Sequence, residues 1–317
     1  AFADAACAEL HAGEVLLCTL SAERSDFVRF NGAKVRQAGS VEQRVVTLRL
    51  VSGGRQAAAT LSLAGDREDV ALAREALARL RDVVAQLPQD PWLAYAQTPH
   101  SSESEHRGEV PQPEEVVGHV VGAARDHDFV GFYAGGTLYR GFANSLGQRN
   151  WHEVDSFNLD WSLYLQADKA VKTGYAGFVW DGRAFETRLD AAASQLGALA
   201  APAKTLDPGE YRAYLSPRAV DELTGLLCWG GFSAKARETR QSPLLRMEHG
   251  EVLSPRVTLT ENTAEGMAPP FQSDGYVKPP KVPLVVEGKL GDALVSPRSA
   301  QEYGLATNAA SEREAPE

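Results

Sequence analysis

The sequence predicts an α+β protein in which helices cover antiparallel sheets, followed by a partial, mixed and β-rich C-terminal domain. Three observations carry that prediction. Alternating runs at 27–30 and 33–36, and again at 41–51 and 56–63, are separated by tight-turn signals and read as antiparallel strands. The stretch 129–180 is crowded with Gly, Tyr, Phe and Trp, a composition suited to a second strand-rich unit. After each comes a segment with a helical pattern, as expected of a helix laid on a sheet.

The elements follow in order. Asn31-Gly32 is the strongest short hairpin signal, because a two-residue turn needs backbone with positive φ. Ser52-Gly53-Gly54 turns the second strand into the third. Asp66, with Asp69 three residues on, caps a helix whose apolar stripe runs Val70, Ala73, Leu77, Leu80, Val84 and Leu87, and Pro88 with Pro91 ends it. Residues 97–113 are polar, proline-bearing and without period, so they read as a linker or exposed loop. A helix is expected over 114–126. Strands then follow, with turns at Gly135-Gly136, at 144–147 and from Ala167 to Lys169, and a second helix over 183–201 packs back. The last third opens with a strand at 210–215 and a helix at 217–227, whose Pro217 suits a first turn. Short strands such as 256–260 and a polar tail at 308–317 complete it. The expected division is an N-terminal domain 1–97, a linker or loop 98–113, a central domain 114–207 and an incomplete C-terminal domain 208–317.

Composition narrows the function. With 317 residues, 44% hydrophobic and 23% charged, the chain is long enough for two or three globular domains. No apolar run approaches the roughly 18 to 20 residues of a membrane span, so no membrane partner is expected. The net charge of −10 opposes a phosphate-backbone surface, so no nucleic-acid partner is expected either. Three cysteines, Cys7, Cys18 and Cys228, form no C-x-x-C pair; this fits a reducing compartment, with the cytoplasm as the expected location.

Several residues invite a chemical reading. Trp151-His152-Glu153 contains a His-Glu dipeptide, but the second histidine of a zinc motif would fall on Ser156 or Phe157, so His152 reads as a surface or sheet-face residue. His119 and His127, with Asp126 and Asp128, read as the polar end of a helix, where a histidine is favourable. His249 belongs to a polar turn, and His100 and His106 to the linker. Ser233 follows Gly231-Phe232 but lacks the second glycine of a nucleophile elbow and any histidine partner. No phosphate-binding loop or dinucleotide fingerprint is present.

Several stretches share an order with one family: SDFVRFNG at 25–32, GFYAGG at 131–136, RGFANSLG at 140–147, the run from Pro208 to Pro255 containing LLCWGGFSAKA, and LVSPRSA at 294–300 followed by Tyr303-Gly304. In that order they resemble the TldD/PmbA metallopeptidase family. In its TldD branch a His-Glu-x-x-x-His zinc motif follows a Leu-Leu pair. Here Leu226-Leu227 is followed by Cys228, Trp229 and Ser233 in those places. A catalytic zinc needs about three protein ligands and a base for its water. Tryptophan is neither, serine is a poor ligand, and Cys228 alone is one ligand. The GGFSAKA stretch is similar to the PmbA (TldE) branch. The resemblance implies no catalytic residue and no metal ligand in this chain. It implies a non-catalytic or regulatory subunit of a TldD/TldE-type peptidase heterodimer that processes or degrades unfolded peptides, with zinc held by a TldD-type partner. Strand addition to a sheet edge would let it hold such peptides by backbone. The alternatives are an independent metallopeptidase with ligands outside this chain, or a peptide-binding module without proteolytic activity. Family members continue beyond the point where this sequence stops, and it has no initiator methionine, so a C-terminally incomplete fragment is expected.

Overall fold

The structure, a computed structural model, describes residues 1–166 and 169–316. A short helix, α1 (Phe2–Ala8), leads into three antiparallel strands, β1 (Glu14–Asn31), β2 (Lys34–Ser52) and β3 (Arg55–Ser62), and then into α2 (Glu68–Gln86). Next come β4 (Ser102–His106), α3 (Pro113–Ala123), β5 (Asp128–Asn144), β6 (Arg149–Gln166), β7 (Lys169–Gly177) and α4 (Gly182–Leu199). The remainder holds α5 (Pro217–Cys228), α6 (Ala234–Glu238), α7 (Leu245–Glu248), β8 (Leu259–Glu261), β9 (Val282–Val286), β10 (Lys289–Leu290) and α8 (Pro297–Tyr303). The α+β class is as expected. Among the described residues no helix is long and apolar enough to cross a membrane.

The first hairpin forms one residue later than its signal. Asn31 pairs with Lys34, so the turn is Gly32-Ala33, with φ of +57° and +53°. Ala33 tolerates that left-handed backbone because it is buried and its N–H donates to the Phe129 carbonyl at 3.1 Å. The second turn, Gly53-Gly54, lies where expected.

Strands β1 to β7 do not divide into two sheets, and β8 to β10 make a separate small sheet in the order β10-β9-β8. The first seven form one, in the order β3-β2-β1-β5-β6, with β4 and β7 sharing the outer edge of β6. The join is β1 against β5, unbroken from Leu17↔Asn144 to Asn31↔Val130. Gly135-Gly136 is not a turn, because β5 runs straight through it. A Cβ at Gly136 would sit 2.2 Å from the Arg24 carbonyl of β1, so the glycine serves close strand approach. The segment 97–113 is not wholly a loop, since β4 pairs with β6 in parallel from Ser102↔Asn150 to His106↔Val154. Its polar residues hydrogen-bond to the sheet: Asn150 Nδ2 donates to Ser102 Oγ at 2.7 Å, and Arg149 N donates to Ser101 Oγ at 2.9 Å. Of the turn expected at Ala167 to Lys169, the first two positions lie outside the described residues.

Side-chain alternation sorts the sheet into two faces. On one, α1 and α2 cover Leu16, Cys18, Val46, Leu48 and Leu50, while α3 and α4 cover Val28, Phe30, Phe129, Leu159 and Trp161 further along the same strands. Each such fully buried side chain contributes about 1.5–3 kcal/mol. Asp69 is buried and draws the loop into α2, accepting from the amides of Ala64 and Gly65 at 2.9 and 2.8 Å.

The C-terminal unit docks on one end of the opposite face. Phe271 packs with Leu17, Val51 and Phe142, Arg49 pairs with Asp274 at 2.5 Å, and Gln148 Nε2 donates to the Gly275 carbonyl at 2.8 Å. Its own core gathers Phe232, Leu244, Val282, Leu284, Val285 and Leu294 around β8, β9 and β10. Two expectations are corrected here. Residues 210–215 form no strand, and the segment is exposed, Tyr214 by 90%. The strand expected at 256–260 is the shorter β8, placed by its pairing with β9. The polar tail is tied down, with Ala309, Ala310 and Glu314 buried.

Candidate functional site

The positions matched to the family zinc motif lie where α5 gives way to α6. Ser216 caps the start of α5, accepting from Ala219 N at 3.3 Å, and Pro217 occupies its first turn. The helix stops at Cys228. Gly230 takes a φ of +81°, and a Cβ on Gly231 would lie 2.1 Å from the Leu227 carbonyl, so glycine is required for the chain to turn under the helix end. Phe232 then enters the core and its carbonyl accepts from Leu294 N at 2.7 Å. Ser233 caps α6, accepting from Ala236 N at 3.0 Å and donating to Glu314 Oε2 at 2.6 Å.

This geometry separates the three side chains by role. Trp229 is 87% exposed. Burial pushes the Cys228 thiol up, and the carboxylates of Glu261 and Asp221 add to that, which disfavours the thiolate a metal needs. The Ser233 hydroxyl is committed to a cap and to Glu314. Burial works to raise the Glu314 pKa, but the hydroxyls of Ser233 and Ser299 and the amides of Lys235 and Ser296 overcome it and hold the carboxyl below its usual range. The charged form of Glu314 therefore knots α6, α8 and the C-terminal residues together. The donor set at 228, 229 and 233 does not fit a zinc ion. Among the described residues, no group of three or more His, Cys, Asp or Glu side chains is placed to hold a metal.

Three of the histidines serve the fold. His152 and Glu153, neighbours on β6, point to opposite faces of the sheet. His152 is buried, with Ser104 Oγ at 2.8 Å from Nδ1 and the Met267 carbonyl at 3.2 Å from Nε2. The ring therefore donates from Nε2 and accepts at Nδ1. Burial lowers its pKa, which keeps it neutral. Of the surface and sheet-face readings, the second holds. Glu153 instead pairs with Arg107 at 2.5 Å. His119 accepts from Trp180 Nε1 at 2.9 Å and packs against Gly182, so α3 uses it to seat α4. His249 follows α7 as its C-cap. The cysteines are all free, and burial pushes Cys18 up to about 12.

Two surfaces had no clear signal in the sequence. The helix α5 buries none of its residues, leaving Val220, Leu223 and Leu226 exposed by 43%, 50% and 66%. The half of the sheet face beyond the C-terminal unit also lies open, around Phe27 and Phe132.

Residues 208–317 match the family model of the PmbA/TldA metallopeptidase C-terminal domain. The C-terminal third of the chain is thus similar to the C-terminal domain of that family. The whole fold agrees with solved structures at low sequence identity. A proposed modulator of DNA gyrase from Thermotoga maritima matches with a TM-score of 0.73 at 14% identity, over 94% of this chain and 70% of that one. A proposed gyrase modulator from Bacteroides thetaiotaomicron gives 0.73 and 14%, over 98% and 74%. TldE from Thermococcus kodakarensis gives 0.67 and 14%, over 93% and 70%. At that identity these likenesses speak to the fold alone. No curated protein matches the chain.

Proposed function

We propose that this chain belongs to the PmbA/TldD family as a TldE-like, non-catalytic subunit. A TldD-type partner supplies the zinc, and the pair processes or degrades unfolded peptides. The observation that carries the reading is the fate of Ser233: where the family motif would place its last ligand, the hydroxyl is a helix cap bound to a buried carboxylate, beyond the glycine break that ends α5. Rebuilding a ligand there would remove the cap of α6 and a donor to Glu314. The bare apolar stripe of α5 supports association, since such a stripe is ordinarily buried by a partner. Cys228, Trp229 and Ser233 then stand in place of the motif rather than acting for it.

The test is to purify the chain alone and with a paralogue carrying His-Glu-x-x-x-His, and to measure zinc by mass spectrometry together with hydrolysis of an unfolded casein fragment. Zinc and hydrolysis are expected only in the mixture. Stoichiometric zinc with hydrolysis in the isolated chain would overturn the proposal.

A further inference from the structure

The open half of the sheet face carries two adjoining hollows of about 550 and 530 Å³ that share Phe132 as a wall. Along this face β1 presents Glu23, Ser25, Phe27 and Arg29 at alternate positions. Phe27 and Phe132 stack with ring centroids 6.0 Å apart, and the Arg29 guanidinium lies 5.6 Å from the Phe132 ring centre. Arg36 and Lys172 line the same end as Arg29. Among the described residues none of these three cations has a carboxylate within ion-pair distance, and the one acidic residue of that hollow, Asp160, faces Arg218 of α5 at 3.9 Å. In a chain of net charge −10, three uncompensated cations at one end of an aromatic groove favour an anionic group there. Glu23, at the far end, has no cation partner among the described residues.

We infer that this groove binds a short extended peptide in one direction. Its C-terminal carboxylate meets Arg29, Arg36 and Lys172, its apolar side chains lie over Phe27 and Phe132, and its amino group meets Glu23. The six-residue step from Glu23 to Arg29 spans about 20 Å, the reach of about six extended residues. The opposed charges at the two ends distinguish a peptide from an oligonucleotide, which is anionic throughout, and from a fatty acid, which has no cationic end. The inference rests on the peptide-handling function proposed above but places the peptide on the sheet face rather than at an edge.

The test is calorimetric titration of the 317-residue chain with Ala-Leu-Phe-Leu-Ala-Leu as the free peptide, as its C-terminal amide and in N-acetylated form. Each blocked form is expected to bind about fivefold more weakly than the free peptide, the effect of losing one solvent-accessible ion pair. In the triple variant Arg29→Gln, Arg36→Gln and Lys172→Gln, free and amidated peptides should bind alike. In Glu23→Gln, free and acetylated peptides should bind alike. Among the described residues none of these side chains makes an ion pair, so the variants should keep the parent's circular dichroism spectrum. No binding at millimolar peptide, equal binding of all three forms, unchanged discrimination in the variants, or preference for dodecanoate over the peptide would overturn the inference. The subunit function fails on a different result, zinc and hydrolysis in the isolated chain, so the two stand or fall separately.

Discussion

Replacing Glu314 by alanine should loosen the C-terminal unit while leaving the large sheet intact. The carboxylate is 1% exposed and accepts from Ser233 Oγ at 2.6 Å, Lys235 N at 2.9 Å and Ser296 N at 2.8 Å. Alanine leaves two backbone amides and a hydroxyl without their acceptor. At about 1–2 kcal/mol for each of these three orphaned donors, the loss is about 3–6 kcal/mol, falling to about 2–4 kcal/mol if the Ser233 hydroxyl finds a new acceptor. Glutamine keeps one acceptor oxygen and should fall between alanine and the parent. Because the folded carboxyl sits below its unfolded value, its contribution is full above about pH 4.3 and is lost as the pH falls through the folded pKa. Urea denaturation at pH 7 and pH 4 measures both effects. Hydrogen exchange followed by mass spectrometry should show faster exchange at 233–237 and 294–300 and none in β1 or β5. A change within about 0.5 kcal/mol, with unaltered exchange in those segments, would refute the argument.

Two glycines close together should respond with opposite signs. Gly231→Ala drives a Cβ to 2.1 Å from the Leu227 carbonyl and should lose about 2 kcal/mol or more in urea denaturation, whereas Gly225→Ala, inside α5 with open space around it, should gain about 0.5–1 kcal/mol. Since burial lowers the His152 pKa, the parent should lose stability as the pH falls from about 6.5 toward the folded value, and thermal melts of His152→Gln between pH 7.5 and 5.5 should lack that slope. Installing the family motif as Cys228→His, Trp229→Glu and Ser233→His should produce neither tight zinc binding nor hydrolysis. It should also lower the melting temperature, because the third change removes a helix cap worth about 1 kcal/mol and strips Glu314 of a donor. Micromolar zinc affinity in the triple variant would show that the site needs only its ligands.

The local features of the fold were legible because local rules produced them. The stripe through Ala73, Leu77, Leu80 and Val84 is buried under the sheet as its spacing requires, and Gly53-Gly54 turns the chain where two positive φ values are needed. Pairing between distant segments was not legible. Nothing in the residues of β1 says that its second edge belongs to β5, more than a hundred positions later, and Gly135-Gly136 mimics a turn because close strand packing and turning both call for glycine. β4 was concealed by its polarity, which serves hydrogen bonds to β6 at the sheet rim. At the candidate site the residue types at 228, 229 and 233 were evident, but the roles of Ser233 and Glu314 were not, since a buried acid eighty-one positions away leaves no local trace.

The junction of β1 and β5 has a consequence for biosynthesis. Fifteen consecutive residue pairs form there without a bulge. When β1, β2 and β3 leave the ribosome as a meander, the long outer flank of β1 has no neighbour until β5, from Asp128 to Asn144, has been translated as well. During that interval the nascent chain displays an open edge that another copy could occupy. Slow closure over so long a loop makes chaperone protection or a modest rate of synthesis a condition for a good yield of this protein.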